Sequence, residues 1–358
     1  MKKLMEQNNY DNNYDFYEID ENIYHRFDQK NQMIFRYLWD KNLKTYKNNF
    51  SKDMLQNIKN GKEGYTHIDY AFLKASWAVY NRFPFAFSWE GDISLKEDWY
   101  GYCLREEKYE ISNPSNFTAK VKKIARFYGA SSVGITRIND KWIYKTGESK
   151  TGTYPINIPE KINTAIVMTV EMNRLSLSTT PALPAGAATG LGYSKMAFLV
   201  ACLGEFIRNL GYAAIQSGND TALSIPLAID AGLGALGRNS LLVTPEYGSR
   251  VRICKIFTDL PLVTDEPNRK FIKYLSEICR ECCKCAEGCE NDSISFKKEP
   301  DFKGESFSNN FGVRKYYINP EKCFKFWAEN NADCSTCITV CPFSEIKHSF
   351  SSKEFWMK

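Results

Sequence analysis

The sequence predicts a mixed α/β (α+β) core followed by a compact cysteine-rich module. Helical and strand-like signals alternate between about residues 110 and 265, and eight of the twelve cysteines form two runs in the last third of the chain. Composition bounds the class. At 358 residues, 43% hydrophobic and 25% charged, the chain reads as globular and long enough for a substantial core. Three segments follow: an aromatic-rich, partly helical segment 1–110, a core 111–265, and the module 266–358.

Residues 1 to about 20 are polar and repetitive, and are expected to fray. Aromatics then crowd towards Glu110, among them Trp77, Tyr80, Phe83, Phe85, Phe87 and Trp89. Core packing is the plain reading of that density; rings lining an apolar cavity is the sharper one. Asn113-Pro114-Ser115 starts a helix, with Phe117, Val121, Ile124, Ala125 and Tyr128 at helical spacing and Gly129 at its end. Residues 132–138 and 164–170 read as strands, the second apolar enough for the middle of a sheet. Small residues dominate 181–192, and an amphipathic helix runs from about Tyr193 to Leu210, stopped by Gly211. Residues 240–244 and 251–258 are further strand candidates, and Asp265-Glu266-Pro267 leads into the module.

The net charge of +5 comes from 47 basic and 42 acidic residues spread along the chain, so no nucleic acid partner is expected. No apolar stretch reaches the roughly 18 residues of a membrane helix; the most apolar, from Met196 to Leu210, is interrupted by Glu205 and Arg208. Met1-Lys2-Lys3 is followed by polar residues where a signal peptide needs an apolar run. A reducing, cytoplasmic location is expected.

The cysteine runs are Cys279-x2-Cys282-x2-Cys285-x3-Cys289 and Cys323-x10-Cys334-x2-Cys337-x3-Cys341, the second closed by Pro342. Three thiolates on a tight loop wrap three corners of a 4Fe–4S cube, and in two-cluster ferredoxins the fourth comes from the last cysteine of the opposite run. Applied here, Cys279, Cys282, Cys285 and Cys341 hold one cluster, and Cys289, Cys323, Cys334 and Cys337 hold the other. Disulfides suit small secreted domains, and zinc ribbons use a different spacing, with no histidine in either run here. Glu290 stands where ferredoxin-like runs usually carry proline. Cys283 is expected to point away from both sets, and Cys103, Cys202 and Cys254 to be ordinary buried thiols.

Electrons carried by such a module need a destination. Residues 181–252 combine glycine-rich turns with isolated polar groups, and small residues allow a backbone to approach a flat ligand closely. Gly190, Gly192, Gly232 and Gly234 are the candidate cofactor contacts. Gly232-x-Gly234-x2-Gly237 nominally fits a dinucleotide fingerprint, but lacks the preceding strand and the later acidic residue.

Gly192-Tyr193-Ser194-Lys195-Met196, Ser217-Gly218-Asn219-Asp220, Ala231-Gly232-Leu233-Gly234, Thr244-Pro245-Glu246-Tyr247-Gly248 and Phe257-Thr258-Asp259-Leu260-Pro261-Leu262 resemble, in order and spacing, the corrinoid-dependent reductive dehalogenases. Arg238, Arg252 and both cysteine runs continue the likeness, which covers roughly three-quarters of the chain. The resemblance implies a nitroreductase-like, cobalamin-binding core with a ferredoxin-like module of two 4Fe–4S clusters, and base-off cobalamin that reduces a carbon–halogen bond. It implies Tyr193 as proton donor, accompanied by Arg252 and Asn219, with Trp327 and Trp89 bordering the substrate. The implied partners are an organohalide and a reduced ferredoxin or flavodoxin-type donor; a homodimer is left open. A twin-arginine signal is absent and the chain ends sooner after Cys341 than respiratory members, so a periplasmic respiratory role is not expected. Two alternatives stand beside this reading: an enzyme like epoxyqueuosine reductase, and a non-catalytic electron carrier or corrinoid-reactivating protein.

Overall fold

The computed structural model describes residues 17–47, 54–82, 108–149 and 152–345, with Glu354 and Met357 in the tail. Phe83, Phe85, Phe87, Trp89, Cys103 and residues 1–16 lie outside the described residues. The described strands are β1 (Ser132–Arg137), β2 (Thr146–Ser149), β3 (Gly152–Pro155), β4 (Thr164–Glu171), β5 (Ala214–Ser217), β6 (Ala235–Leu236), β7 (Leu242–Val243) and β8 (Val251–Thr258).

Four of them form the central sheet in the order β1-β4-β8-β5. Every pairing in it is antiparallel. The class is therefore α+β, and the parallel α/β alternative falls away. β4 and β8 pair along their full length, with Thr164 opposite Thr258 and Glu171 opposite Val251. Alternation along these strands divides the core between two faces. Ala165, Val167, Ile253 and Phe257 join Trp142 and Leu227 on one side, while Ile166, Met168, Cys254 and Ile256 meet Val121, Met196 and Leu203 on the other.

Helix Pro114–Phe127 begins as its sequence dictates. The Asn113 side chain accepts from the Asn116 N–H, and Pro114 occupies the first turn, where its missing donor does no harm. Gly129, at φ +104°, supplies the left-handed residue that ends it.

The region 181–192 departs from expectation. It is not an open small-residue stretch but the first part of one helix, Leu183–Asn209, 27 residues long. Alanine is the strongest helix former, and Ala185, Ala187 and Ala188 outweigh the intervening glycines once all are buried. By length and composition this helix could cross a membrane, contrary to the expectation from sequence. Most of it is buried against the sheet and its neighbours, so it serves as the core helix. The N-terminal segment is partly helical, as expected, and packs on the module: Arg36, on helix Met33–Trp39, bonds Asp40 at 2.8 Å and Glu321 at 2.7 Å.

Candidate active site

The long helix carries Tyr193, the β5–α turn carries Asn219, and β8 carries Arg252. The fold brings all three together. Asn219 Nδ2 donates to the Tyr193 hydroxyl at 2.6 Å, and the Arg252 guanidinium lies over the Tyr193 ring, 5.0 Å from its centroid. Trp77 stacks on the same ring at 5.1 Å with an interplanar angle of 22°, and Tyr80 leans on it at 5.2 Å. Arg252 Nη2 also donates to Thr189 Oγ1 at 3.1 Å, whereas its Nε is buried without a partner among the described residues. The guanidinium thus approaches the face of the ring, while the amide of Asn219 reaches the hydroxyl.

Two of the singled-out glycines support this corner. A Cβ on Gly190 would come within 2.4 Å of Trp77, and one on Gly192 within 3.0 Å of the Arg252 stem. Their absence of side chain makes room for the two groups that sandwich Tyr193. Gly232 (φ +74°) and Gly234 sit in tight backbone packing, where a Cβ would meet the carbonyls of Glu266 at 2.6 Å and Val243 at 2.3 Å.

Beside the corner lies a cavity of about 370 Å³, walled mainly by apolar side chains, with Asn219, Arg252 and Lys315 among its polar groups. Tyr193 is not itself a lining residue; it meets the cavity wall through Asn219 and Arg252. Ile338, next to Cys337, lines the far side, so the cavity adjoins the cysteine module. Trp327 lies away from this lining, packed near Phe324 at 6.1 Å, and its indole N–H is buried without a partner among the described residues. Trp89 lies outside the described residues.

Sequence reasoning missed Lys255. Its side chain is fully buried on β8 and donates to the carbonyls of Gly218 and Asp220 and to Ser224 Oγ. Burial pulls the ammonium down to about 8, with Asp220 opposing. Lys255 thereby fixes the turn that presents Asn219. The available signal was a lysine inside an otherwise apolar strand, Val251–Thr258.

The cysteines stand in two sets of four. Burial pushes the Cys285 thiol up to about 12, with Cys279, Cys341 and Cys282 as neighbours. Burial likewise pushes Cys323 up to about 12, beside Cys334 and Cys289. It raises Cys337 well above the usual thiol range, with Cys323 and Cys334 adding most and Cys285 of the other set also within reach. Cys341 thus lies near the first run and Cys289 near Cys323 of the second, and the two sets adjoin. Thiols raised in this way are protonated at neutral pH unless a metal displaces the proton. No three His, Cys, Asp or Glu side chains among the described residues converge on a point suited to a single metal ion. Two sets of four thiols, drawn from runs with this spacing, suit 4Fe–4S cubes. Cys254 is fully buried and Cys202 partly so.

Comparisons with known proteins give the geometry its kinship. Residues 144–262 match the family model described as reductive dehalogenase subunit, and residues 278–344 match the 4Fe–4S dicluster domain. The chain belongs to the reductive dehalogenase family. It is 32% identical over 280 residues to a tetrachloroethene reductive dehalogenase of Desulfitobacterium hafniense, a match covering 67% of this chain and 50% of that protein. The chain spans about half the length of the curated relatives it matches most strongly. An epoxyqueuosine reductase of Listeria monocytogenes is more distant, 27% identical over 48% of this chain and 43% of its own. A solved B12-dependent reductive dehalogenase superposes with a TM-score of 0.69 at 20% identity, covering 93% of this chain and 44% of that one, a likeness of fold.

Proposed function

We propose that this protein is a cytoplasmic, corrinoid-dependent reductase that removes halide from an organohalide, with electrons relayed through two 4Fe–4S clusters. The observation that carries the reading is the Tyr193–Asn219–Arg252 corner, set on the wall of a cavity that adjoins the second cysteine set. The core is read as of the nitroreductase type, and residues on the cavity wall such as Asn219 and Arg252 would face a corrinoid held base-off. Two features support that fit. The cavity walls are largely apolar, and the buried Arg252 Nε has no partner among the described residues.

Cys279, Cys282, Cys285 and Cys341 would hold one cluster and Cys289, Cys323, Cys334 and Cys337 the other. When bound, the corrinoid supplies a low-potential cobalt centre able to reduce a carbon–halogen bond. Replacing halide by hydrogen takes two electrons and one proton at the same carbon. Tyr193 is the proton source. Its oxygen accepts from the Asn219 amide, which leaves the phenolic proton free to point elsewhere, and the same amide stabilises the oxygen once that proton has gone. Arg252 over the ring stabilises the resulting negative charge through the π-system, as Trp77 fixes the ring plane. Asn219 and Arg252, which reach both Tyr193 and the cavity, orient the substrate.

Anaerobic reconstitution followed by iron, sulfide and cobalt analysis tests the reading. About eight irons and one cobalt per chain are expected, with halide release from an organohalide under a low-potential donor such as reduced ferredoxin. Iron-replete protein that takes up no cobalt would instead indicate an electron carrier.

A further inference from the structure

Arg238 lies in the turn between β6 and β7 and is 1% exposed, yet among the described residues it forms no ion pair. Its guanidinium is held by carbonyls alone. Nε donates to Cys279 O at 2.8 Å, Nη1 to Ser295 O and Lys297 O, each at 2.8 Å, and Nη2 to Arg280 O at 3.1 Å. The plane rests 4.0 Å over the Tyr316 ring. The nearby carboxylate, Glu299, is engaged by Arg280 and Arg314 instead. Two of the four carbonyls close the end of helix Arg269–Glu281, where a cation suits the helix dipole. Carbonyls alone are a poor substitute for water around a fully buried charge, and such charges are normally met by an opposite one.

The missing counter-charge has an obvious location. Arg238 touches the backbone of Cys279 and acts electrostatically on both Cys279 and Cys285. A 4Fe–4S cube with four thiolates carries a net negative charge that grows by one on reduction. Among the described residues, the charged side chain recorded beside the second set is an acid, Glu290, which accepts from Thr336 beside Cys334.

We propose that Arg238 is the buried counter-ion of the cluster held by Cys279, Cys282, Cys285 and Cys341, and raises that cluster's reduction potential relative to its neighbour's. A fixed positive charge stabilises the more negative, reduced form, so the first cluster accepts an electron more readily. The second cluster then has the lower potential and is the stronger reductant. Arg238 is a positioning and tuning residue and does not itself line the cavity. The proposal rests on the ligand assignment above.

Potentiometric titration of the anaerobically reconstituted chain, followed by electron paramagnetic resonance, tests it. Two separate one-electron steps in the parent establish that two clusters are bound; a single cluster in the parent would count against the two-cluster reading alone. In Arg238→Gln, which keeps a donor but removes the charge, one midpoint is expected to fall. The fall should be at least a tenfold change in the redox equilibrium, about 59 mV for one electron, with the other midpoint moving much less. Arg238→Lys, which keeps the charge, should stay close to the parent. If Arg238→Gln loses half the iron while Arg238→Lys retains it all, the counter-ion role also stands. Unchanged potentials in iron-replete Arg238→Gln would overturn it. So would equal shifts or equal iron loss in both variants, because either marks the guanidinium as a packing and capping element.

Discussion

The cysteine module and the Tyr193 corner rest on different kinds of support. Cys285 and Cys337 ride on helices of four residues each, Lys284–Glu287 and Thr336–Thr339, joined by turns. Helices so short are not stable by themselves. The corner stands on a 27-residue helix and an eight-residue strand, both packed into the central core. The module's arrangement therefore depends on what its thiols bind, whereas the corner's depends on apolar burial. Electron supply and proton supply should then fail separately, and the largest effects are expected on the electron side.

Cys337→Ser should remove about half the iron and abolish turnover, because Cys337 is assigned as a ligand of the second set and also neighbours Cys285 of the first. Far-UV circular dichroism should stay close to the parent's, since the sheet and long helix do not lean on the module's metal. Cys283→Ser should leave iron unchanged, as Cys283 belongs to neither set. Equal iron loss in the two variants would contradict the ligand assignment.

The proton side breaks differently. Tyr193→Phe retains the ring stacked by Trp77 and capped by Arg252 but loses the hydroxyl that Asn219 contacts. General-acid groups typically contribute about 10²–10⁴-fold. Dehalogenation should fall by that order with iron and cobalt contents unaltered. Activity within a few-fold of the parent would remove Tyr193 from the mechanism, and loss of bound cobalt would make it a structural residue.

The same contrast governs what the sequence discloses. The cysteine runs are written in local spacing, because loops around a cube require ligands two or three residues apart, while the pairing of Cys341 with the first run and Cys289 with the second is the pattern of two-cluster ferredoxins. β8 and the capped helix after Asn113 are equally plain, since alternation and capping are local signals. The corner is not local. Tyr193, Asn219, Arg252 and Trp77 come from four elements, and only the resemblance to a family marked the first three in advance. The helical start at Leu183 was hidden because glycines that serve helix packing look like glycines that serve a loop. Lys255 was hidden because a buried cation on a core strand breaks the pattern by which the strand is recognised.

Lys255 gives the subtlest way to sharpen the comparison, because it bears on the corner only through the turn beneath Asn219. Its ammonium is held near pKa 8 by burial, against about 10.5 in the unfolded chain. Between those values the unfolded state binds more protons than the folded one. Stability contributed by this group therefore rises with pH across the window from about 8 to 10.5, and is least below it. Lys255→Met removes the titration but keeps most of the side-chain volume. Other groups that titrate in this range are common to both proteins and cancel in their difference. The parent's unfolding free energy minus the variant's, measured in urea at pH 7.5 and again at pH 10, should grow by an amount on the order of 2–3 kcal/mol. Turnover at pH 7.5 should drop less than in Tyr193→Phe, because the hydroxyl survives and only the turn that steers Asn219 is loosened. A difference that stays flat or shrinks with pH would mean that the lysine is comfortably solvated when folded, and that the turn is held by its own backbone.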